Sequence, residues 1–382
     1  MINIKDGIFS EELIKKIEDF KKDCVGCSKC VRECKMLDSF CTDPKNLFNG
    51  LNDKQVIDPL VPYSCNQCGV CEEVCPKNLK LEELFKDIRV ELVKANKGKS
   101  PIKGHRAVES HQSLSFSKVF TTTASDKNKE TVRVFMPGCS LSSYSPKLVS
   151  KTLRYLQKKL PGTGVVLKCC GKPTRAIGQE DAFKERYGEL EDEFKRLGVT
   201  EVITACQSCY TTIAKESPNI KIKSLWTVIP EIGIPEEKIN IGANSDLVFG
   251  IHDSCATRRN GDIQKGARSI IKDLGYKIQE DDQSEKIIRC CGQGGMVGPA
   301  NPELTKQIMK ERANEVESDY VVTYCGACRE SMVRGGKKSI HILDLMFKGP
   351  WNSKSDMPGV GKTPMNSWVN RYKSKKELNK SK

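Results

Sequence analysis

The sequence predicts an α/β protein in which two domains with parallel sheets follow a small, mainly helical domain. Two observations predict this fold class. The cysteines are dense between positions 24 and 75, and they are sparse but regularly spaced between positions 139 and 328. Across the sparse region, short apolar runs alternate with stretches of helical periodicity, a pattern typical of strands and helices in a parallel sheet.

The chain carries nineteen cysteines among 382 residues. Its first residues, MINIKDGIFSEELIKKIEDF, are too charged for a signal peptide, and no apolar run approaches the length of a membrane span. We therefore expect a cytoplasmic protein, in which structural disulfides are rare. An odd number of cysteines also fits a disulfide framework poorly, so the sequence predicts reduced thiols that hold metal.

Two cysteine quartets dominate the first domain, which we assign to residues 1–98. Each quartet has three cysteines at intervals of three and a fourth after a longer gap. Such spacing lets one loop surround a [4Fe–4S] cubane cluster, while the fourth cysteine reaches the neighbouring cluster. We predict that the ligands of one cubane are Cys24, Cys27, Cys30 and Cys75. The predicted ligands of the other are Cys65, Cys68, Cys71 and Cys34.

Zinc bound by the same Cys-x-x-Cys units is the alternative, but zinc sites place a long gap between two ligand pairs. The segment resembles the two-cluster bacterial ferredoxins. Only the second quartet matches that pattern fully, because Pro76 follows Cys75 whereas Lys35 follows the first quartet. Cys41 is a spare cysteine, which we interpret as a small buried apolar residue.

The formal net charge of +14 is weak support for a nucleic-acid partner, because that count treats every cysteine as neutral. A cubane with four thiolate ligands carries roughly −2, so bound clusters would make the protein far less basic. We therefore expect no nucleic-acid partner.

The sparse cysteines form an internal repeat. Corresponding cysteines are separated by about 120 residues, close to the usual size of one domain. The corresponding pairs are Cys139 and Cys255, Cys169 and Cys290, Cys206 and Cys325, and Cys209 and Cys328. We assign the first repeat to residues 131–245 and the second to residues 246–348.

Each repeat is expected to form a parallel, Rossmann-like sheet. Predicted strands of the first repeat are Val132–Met136, Val165–Leu167 and Val202–Ala205, and those of the second are Leu247–Ile251, Ile287–Ile288 and Tyr320–Tyr324. Predicted helices are Lys147–Leu160, Ala182–Leu197, Asp262–Leu274 and Pro302–Val316. The cysteines follow the strands and should therefore lie at their carboxyl ends, where open α/β sheets place ligand sites.

Two further segments lack this pattern. Residues 99–130 are rich in Ser, Thr and Lys without a clear period, and we interpret them as a linker or surface arm. Residues 349–382 form a basic tail that we expect to be solvated, and we expect the part after Trp368 to be dispensable for folding and clusters. Docking of this tail to an anionic partner or lipid is the alternative.

Both repeats contain adjacent cysteines followed by glycine. A disulfide between neighbours is disfavoured, because consecutive Cα atoms lie about 3.8 Å apart whereas a relaxed disulfide needs about 4.4–6.8 Å. Two adjacent thiolates can instead reach two irons of one cluster. Buried thiols without metal are the alternative, but packing preference does not account for ten cysteines that repeat in register.

The order Cys, Cys-Cys-Gly, Cys-x-x-Cys resembles the CCG cysteine-rich domain of heterodisulfide reductase and of the iron–sulfur subunits of glycolate, lactate and glycerol-3-phosphate dehydrogenases. The whole architecture looks most like the D subunit of heterodisulfide reductase. This resemblance implies two non-cubane [4Fe–4S] clusters, each held by five cysteines that form the reaction site. The implied ligands are Cys139, Cys169, Cys170, Cys206 and Cys209, then Cys255, Cys290, Cys291, Cys325 and Cys328. Gly171 and Gly292 are expected to let backbone N–H groups approach the cluster sulfides.

We therefore expect an oxidoreductase that passes electrons through two cubanes to the paired non-cubane clusters, where a disulfide or other small molecule is reduced. The alternative is an electron-transfer subunit of a flavin-dependent 2-hydroxy acid or glycerol-3-phosphate dehydrogenase. A flavoprotein or another electron-transfer subunit is the expected partner, with peripheral membrane association open and no transmembrane segment. A zinc scaffold that binds nucleic acid is a third alternative.

Other residues near the cysteines have open roles. His252 and His341 are expected to be structural, because five cysteines per site already suffice as ligands. Four basic residues could neutralise cluster charge or bind a substrate carboxylate or phosphate, namely Lys172, Arg175, Arg258 and Arg259. The stretch GQGGMVGP lacks the G-x-G-x-x-G pattern, so we expect no flavin or nicotinamide site.

Overall fold

The computed structural model describes residues 8–48, 58–127, 129–281, 286–361 and 363–380. The first seven residues and the last two of the basic tail thus lie outside the described residues. In the first domain, helices span Glu11–Asp23, Lys29–Arg32, Lys35–Phe40, Leu60–Tyr63, Val70–Glu73 and Leu81–Ala95, with a 3₁₀ turn at Pro44–Phe48. The two long helices bury apolar faces in one core, where Phe20, Phe48 and Phe85 meet. The cysteines lie in the short helices between them and in the loops that flank these helices.

The first repeat contains a five-stranded sheet with the order β1-β3-β2-β4-β5. Its strands are β1 (Thr122–Ala124), β2 (Arg133–Met136), β3 (Thr163–Leu167), β4 (Glu201–Thr204) and β5 (Lys221–Ser224). All neighbours are parallel except β1, which runs antiparallel to β3. The helices of this repeat span Cys139–Tyr144, Pro146–Lys159, Lys172–Ala176, Glu180–Arg196, Gln207–Glu216 and Leu225–Ile232.

The second repeat contains a four-stranded parallel sheet with the order β7-β6-β8-β9. Its strands are β6 (Val248–Ile251), β7 (Lys277–Gln279), β8 (Tyr320–Thr323) and β9 (Lys338–His341). Its helices span Gly261–Asp273, Val297–Ala300, Pro302–Glu315, Gly326–Arg334 and Ile342–Phe347. Short 3₁₀ turns lie at Glu236–Lys238, Cys255–Thr257 and Gly294–Met296. The predicted fold class, with parallel α/β sheets after a mainly helical domain, is confirmed.

One predicted strand is wrong. Ile287 and Ile288 lie in a bend and irregular backbone, and the strand that pairs with β6 is Lys277–Gln279, ten residues earlier. This edge strand is partly exposed and contains a single apolar residue, Ile278, so it has no apolar run to reveal it. Cys290 and Cys291 therefore follow a longer connection than Cys169 and Cys170 do.

The segment 99–130, predicted as a linker without regular structure, contains a helix and a strand. The helix His105–Phe116 buries Val108 together with polar residues, among them Gln112 and Ser115. The strand β1 joins the first sheet. A polar buried face gives no apolar period, which explains why the sequence pattern missed this helix.

The tail is also ordered, in contrast to the solvated end that we expected. A helix over Pro364–Lys380, called the tail helix below, packs on the helices Cys139–Tyr144 and Pro146–Lys159 and on β1. Arg371, Ser374 and Leu378 are its buried residues. Ser374 Oγ donates to the carbonyl oxygen of Ser142 at 2.9 Å, so the tail helix is attached to the first repeat.

The two repeats share one apolar core. Trp226 of the first repeat and Ile270 of the second belong to the same cluster of buried side chains, as do Phe135 and Phe249 from the two sheets. Gly326, at the start of a helix in the second repeat, lies so close to Ser140 that an added Cβ would be 3.1 Å from its carbonyl carbon. The carboxyl ends of the two sheets are thereby held side by side.

Candidate iron–sulfur centres

The first quartet surrounds a small cavity in the helical domain. Cys24, Cys27 and Cys30 line it from one loop, and Cys75 lines it from the segment after the helix Val70–Glu73. Burial raises the pKa of the Cys30 thiol to about 11, and the neighbouring Cys24 and Cys75 thiols add to that effect. The segment that carries Cys75 thus brings a thiol of the other quartet to this cavity.

The second quartet lines a separate cavity of about 290 Å³. Its thiols are Cys65, Cys68 and Cys71, with Cys34 from the other quartet. Burial raises the pKa of Cys65 to about 12 and also raises that of Cys34, next to Cys68. Burial alone disfavours the thiolate form at these positions. A bound metal cation would therefore have to displace the thiol protons for these cysteines to act as ligands.

The two cysteine loops share a backbone conformation. Gly26 and Ser28 have positive φ in the first loop, and Gln67 and Gly69 have it at the same positions of the second. Alternating left-handed residues turn the chain tightly and direct successive N–H groups inwards, which creates a concave site for negative charge. The Gln67 N–H accordingly donates to Cys65 Sγ at 3.3 Å.

In the first repeat, five thiols form a continuous series of contacts. The interacting pairs are Cys139 with Cys169, Cys169 with Cys170, Cys170 with Cys209, and Cys206 with Cys209. The contributing segments are the carboxyl ends of β2, β3 and β4 and the helices that start there. Gly138 has φ +77° and packs on Cys206, where an added Cβ would lie 2.4 Å from the cysteine Cβ.

The second repeat reproduces this arrangement. Its contacts join Cys255 with Cys290, Cys290 with Cys291, Cys291 with Cys328, and Cys325 with Cys328. The Cys291 and Cys328 sulfurs are 3.5 Å apart. Hydrogen bonds from the neighbouring cysteines lower the pKa of both Cys170 and Cys291 well below the ordinary thiol value.

The glycine after each pair has a specific backbone role. Gly171 has φ +76° and Gly292 has φ +93°, conformations that favour glycine. Their N–H groups donate to Cys169 Sγ at 3.4 Å and to Cys290 Sγ at 3.3 Å. An added Cβ would lie 3.1 Å from Phe183 or from Met309, respectively. These N–H groups thus support the cysteine sulfurs directly.

The second quartet and the second repeat meet through sulfur. The Cys68 and Cys290 thiols interact, and this interaction is the main cause of a Cys68 pKa lowered to about 7. Cys290 also lines the cavity of the second quartet. The two five-cysteine sites are neighbours as well, since Cys206 and Cys325 interact electrostatically.

The four basic residues with open roles are engaged in packing contacts. Arg175 forms ion pairs with Glu180 and Glu216. Arg259 pairs with Glu72 of the first domain, and Arg258 donates to the carbonyl oxygen of Ile288 at 2.6 Å. The remaining one, Lys172, donates to Thr211 Oγ1 at 3.4 Å. Of these contacts, the ion pair between Arg259 and Glu72 joins the second repeat to the first domain.

The two histidines differ from each other. His341 Nδ1 accepts from the Leu343 N–H at the start of a helix, a structural role that matches our expectation. A ring nitrogen of His252 instead lies within 4.8 Å of the sulfurs of Cys291 and Cys328. Its Nε2 has no hydrogen-bond partner among the described residues. In the first repeat, the position three residues before the first cysteine is Met136, so this histidine distinguishes the second site.

Two residues near the first site were missed by sequence reasoning. Gln112, from the segment predicted as a linker, accepts from Cys169 Sγ at 3.6 Å through its Oε1. Arg371, from the tail helix, contacts Cys139. Neither residue belongs to the cysteine repeat, so no spacing rule could have found them. Cys41 is half-buried, and burial raises its pKa to about 12.

The donor chemistry of the four sites fits iron–sulfur clusters. All nineteen cysteines are free thiols, and the sites use sulfur donors, which are the ligands of such clusters. No helix within the described ranges is long and apolar enough to cross a membrane.

Comparison with known families agrees with this arrangement. Residues 23–80 match the family described as 4Fe-4S dicluster domain, and residues 133–214 and 249–332 each match the Cysteine-rich domain family, CCG. The chain belongs to the iron–sulfur proteins that join a dicluster domain to two cysteine-rich domains. It is an oxidoreductase component related to the D subunit of heterodisulfide reductase.

Three relatives illustrate this relationship. An uncharacterised iron–sulfur protein of Methanococcus maripaludis is 26% identical over 379 residues, covering 86% of this chain and 73% of the relative. The B subunit of the CoM/CoB fumarate reductase of Methanothermobacter marburgensis is 24% identical over 369 residues, covering 86% and 72%. The D subunit of the dihydromethanophenazine:CoB–CoM heterodisulfide reductase of Methanosarcina acetivorans is 24% identical over 314 residues, covering 74% and 76%.

Proposed function

We propose that this protein reduces a disulfide at its paired five-cysteine sites, with electrons delivered through the two cysteine quartets. The observation that carries the proposal is the contact between Cys68 and Cys290. It joins the second quartet to the sulfur contacts of the second repeat, and these continue towards the first repeat through Cys325 and Cys206.

We infer the order of the sites along this route from their packing. Cys71 lines the cavities of both quartets, so electrons that arrive at the first quartet can pass to the second. The second repeat follows, because its Cys290 contacts the second quartet. The first repeat is reached last. The two repeats are thus not equivalent in this scheme, although their cysteine arrangements are.

The residues would hold two cubane clusters at the quartets and two non-cubane [4Fe–4S] clusters at the five-cysteine sites. Bound clusters supply one-electron transfer. Reduction of a disulfide consumes two electrons and two protons, breaks one S–S bond and releases two thiols. Two adjacent five-cysteine sites, one for each sulfur of the substrate, account for the duplication. A flavoprotein or another electron-transfer subunit is the proposed electron donor.

The relatives support this class of reaction. One is named as a subunit of a heterodisulfide reductase. Another is named as the B subunit of a fumarate reductase, which favours a second candidate. In that second candidate the chain carries electrons to or from a catalytic centre on a partner flavoprotein and reduces no disulfide itself.

The test is turnover of disulfides by the isolated, fully iron-loaded chain with an artificial one-electron donor. Cys170→Ala and Cys291→Ala should each reduce the activity to near zero rather than to half, because one site can hold only one of the two sulfurs. Both variants should keep reducible cubanes. Cys41→Ser is the control, since Cys41 lies outside the four sites, and it should retain activity.

A different result would favour the second candidate. The disulfide-reductase proposal fails if the loaded wild-type chain reduces no disulfide but transfers electrons readily between a flavoprotein and a quinone.

A further inference from the structure

Basic side chains occupy the whole exposed side of the helix Pro146–Lys159 in the first repeat. Its opposite side buries Leu148, Leu153 and Leu156 in the core that the two repeats share. Every exposed residue of this helix is a lysine or an arginine, namely Lys147, Lys151, Arg154, Lys158 and Lys159. Residues three or four positions apart lie on one face of a helix, so these charges form a row along the surface.

The tail helix lies beside this row. Its Leu378 belongs to the same apolar cluster as Leu148. Its Asn370 Nδ2 donates to the carbonyl oxygen of Ser143 at 2.8 Å, just before the helix Pro146–Lys159 begins. The exposed sides of the two helices are therefore neighbours on the surface of the protein.

The exposed side of the tail helix is basic as well. Lys373, Lys376 and Lys380 are exposed. The two helices, both of which the structure describes throughout, contain ten Lys and Arg residues and one acidic residue, Glu377, which pairs with Lys380 at 2.9 Å. We call the exposed sides of these two helices the basic face.

Exposed apolar side chains adjoin the basic face. On the tail helix, Met365, Val369 and Tyr372 are spaced by four and three residues and lie on its exposed side. The Nζ atom of Lys376 lies 4.9 Å from the centre of the Tyr372 ring. Charged and apolar side chains therefore meet on one surface.

A neighbouring segment enlarges this apolar surface. Arg371 donates to the carbonyl oxygens of Ser115 and Phe120, which holds the segment around Leu114 and Val119 against the tail helix. Ten large apolar side chains are exposed among the described residues, and half of them lie here, namely Leu114, Val119, Met365, Val369 and Tyr372. We call these five residues the apolar edge. Such a concentration differs from the single apolar residues scattered over an ordinary surface.

We propose that the basic face and the apolar edge bind the surface of an anionic lipid bilayer. Anionic headgroups attract clustered lysines and arginines, while apolar and aromatic side chains beside them enter the boundary between headgroups and acyl chains. A nucleic acid would contact the charges through its phosphates but would leave the apolar edge in water. This inference goes beyond the proposed function and holds for either candidate reaction, because none of these residues is a cysteine of the four sites.

Flotation of the iron-loaded chain with lipid vesicles tests the proposal. Vesicles of equal parts phosphatidylglycerol and phosphatidylcholine should bind at least about tenfold more tightly than vesicles of phosphatidylcholine alone. A rise in salt from about 0.1 M to about 1 M should weaken this binding, because salt screens exposed charges. Equal binding to the two kinds of vesicle, or no binding to the anionic ones, would overturn the proposal.

Two double variants separate the basic face from the net charge of the protein. Arg154→Gln combined with Lys158→Gln should weaken binding to the anionic vesicles at least about tenfold. The control is Lys184→Gln combined with Lys195→Gln, which removes the same charge from exposed positions of the helix Glu180–Arg196. It should bind as wild type does. Equal losses in the two double variants would assign the binding to net charge alone and contradict the proposal.

A single substitution tests the apolar edge. Met365→Ser should weaken binding to the anionic vesicles at least about threefold, whereas Val248→Ser, at an exposed apolar residue of the second repeat, should not. A short DNA duplex at the same concentration of phosphate should bind less tightly than the anionic vesicles. Tighter binding of the duplex, with no effect of Met365→Ser on vesicle binding, would assign the basic face to nucleic acid and overturn the lipid proposal.

Discussion

The Nη1 group of Arg89 donates a hydrogen bond to the carbonyl oxygen of Gly295 at 2.9 Å, across 206 positions of the sequence. The same guanidinium donates to Ala176 of the first repeat at 2.6 Å and to Pro62 and Cys65 of the helical domain. A single buried side chain therefore contacts all three domains. Gly295 lies shortly after the adjacent cysteines of the second repeat, so this contact also fixes their position relative to the second quartet.

Replacement of Arg89 should destabilise the packing between the three domains. Arg89→Gln would leave several buried carbonyl oxygens without a donor, at about 1–3 kcal/mol each. We expect a loss of at least about 3 kcal/mol, seen as a lower melting temperature and faster proteolysis between the domains. Lys94→Gln, at an exposed position of the same helix, is the control and should behave as wild type. Equal melting temperatures for the two variants would contradict this prediction.

The crossed ligand sets of the two quartets can be separated by spectroscopy. Cys34→Ser should damage the cubane of Cys65, Cys68 and Cys71, and Cys75→Ser should damage that of Cys24, Cys27 and Cys30, because each thiol lines the other quartet's cavity. Electron paramagnetic resonance of the reduced variants distinguishes the two clusters. If each substitution altered the cluster of its own loop, the crossed assignment would be wrong.

The tail helix should contribute to stability, contrary to what its composition suggests. Truncation after Gly361 removes Leu378, which is fully buried, and the hydrogen bond from Ser374 to Ser142. Loss of a buried leucine side chain alone typically costs about 2–5 kcal/mol. We therefore expect truncation to lower the melting temperature by at least about 5 °C. Leu378→Ala should reproduce part of this loss, while an unchanged melting temperature of the truncated chain would contradict the packing.

His252 should influence the second five-cysteine site. Its ring nitrogen lies within 4.8 Å of Cys291 and Cys328, and in that position an N–H donor would stabilise a thiolate ligand. His252→Met, which installs the residue found at the equivalent position 136, should lower the midpoint potential of the second site and leave that of the first unchanged. His252→Gln keeps a side-chain N–H donor. The midpoint potential of its second site should therefore lie between those of His252→Met and wild type. Identical potentials in His252→Met and wild type would assign this histidine to packing.

The apolar strands of both sheets and the cysteine repeat could be predicted from the sequence, because apolar residues and thiols are conspicuous there. Other elements could not. The edge strand at Ile278 is partly exposed, and the helix at Gln112 and the tail helix at Arg371 both bury polar residues. The polar faces of these two helices lie against the first five-cysteine site. A search for apolar periodicity overlooks such polar faces, and it therefore misses the residues that surround this site.

The location of the tail helix also sets an order of assembly. Translation produces residues 139–209 early, but the helix that covers them is made only after the entire second repeat. Nascent domains generally fold from the N-terminal end during synthesis, so the second quartet and the second repeat can reach their final form while the first repeat still lacks its cover. The repeat that is translated first therefore receives its last packing element only after the second repeat has been made.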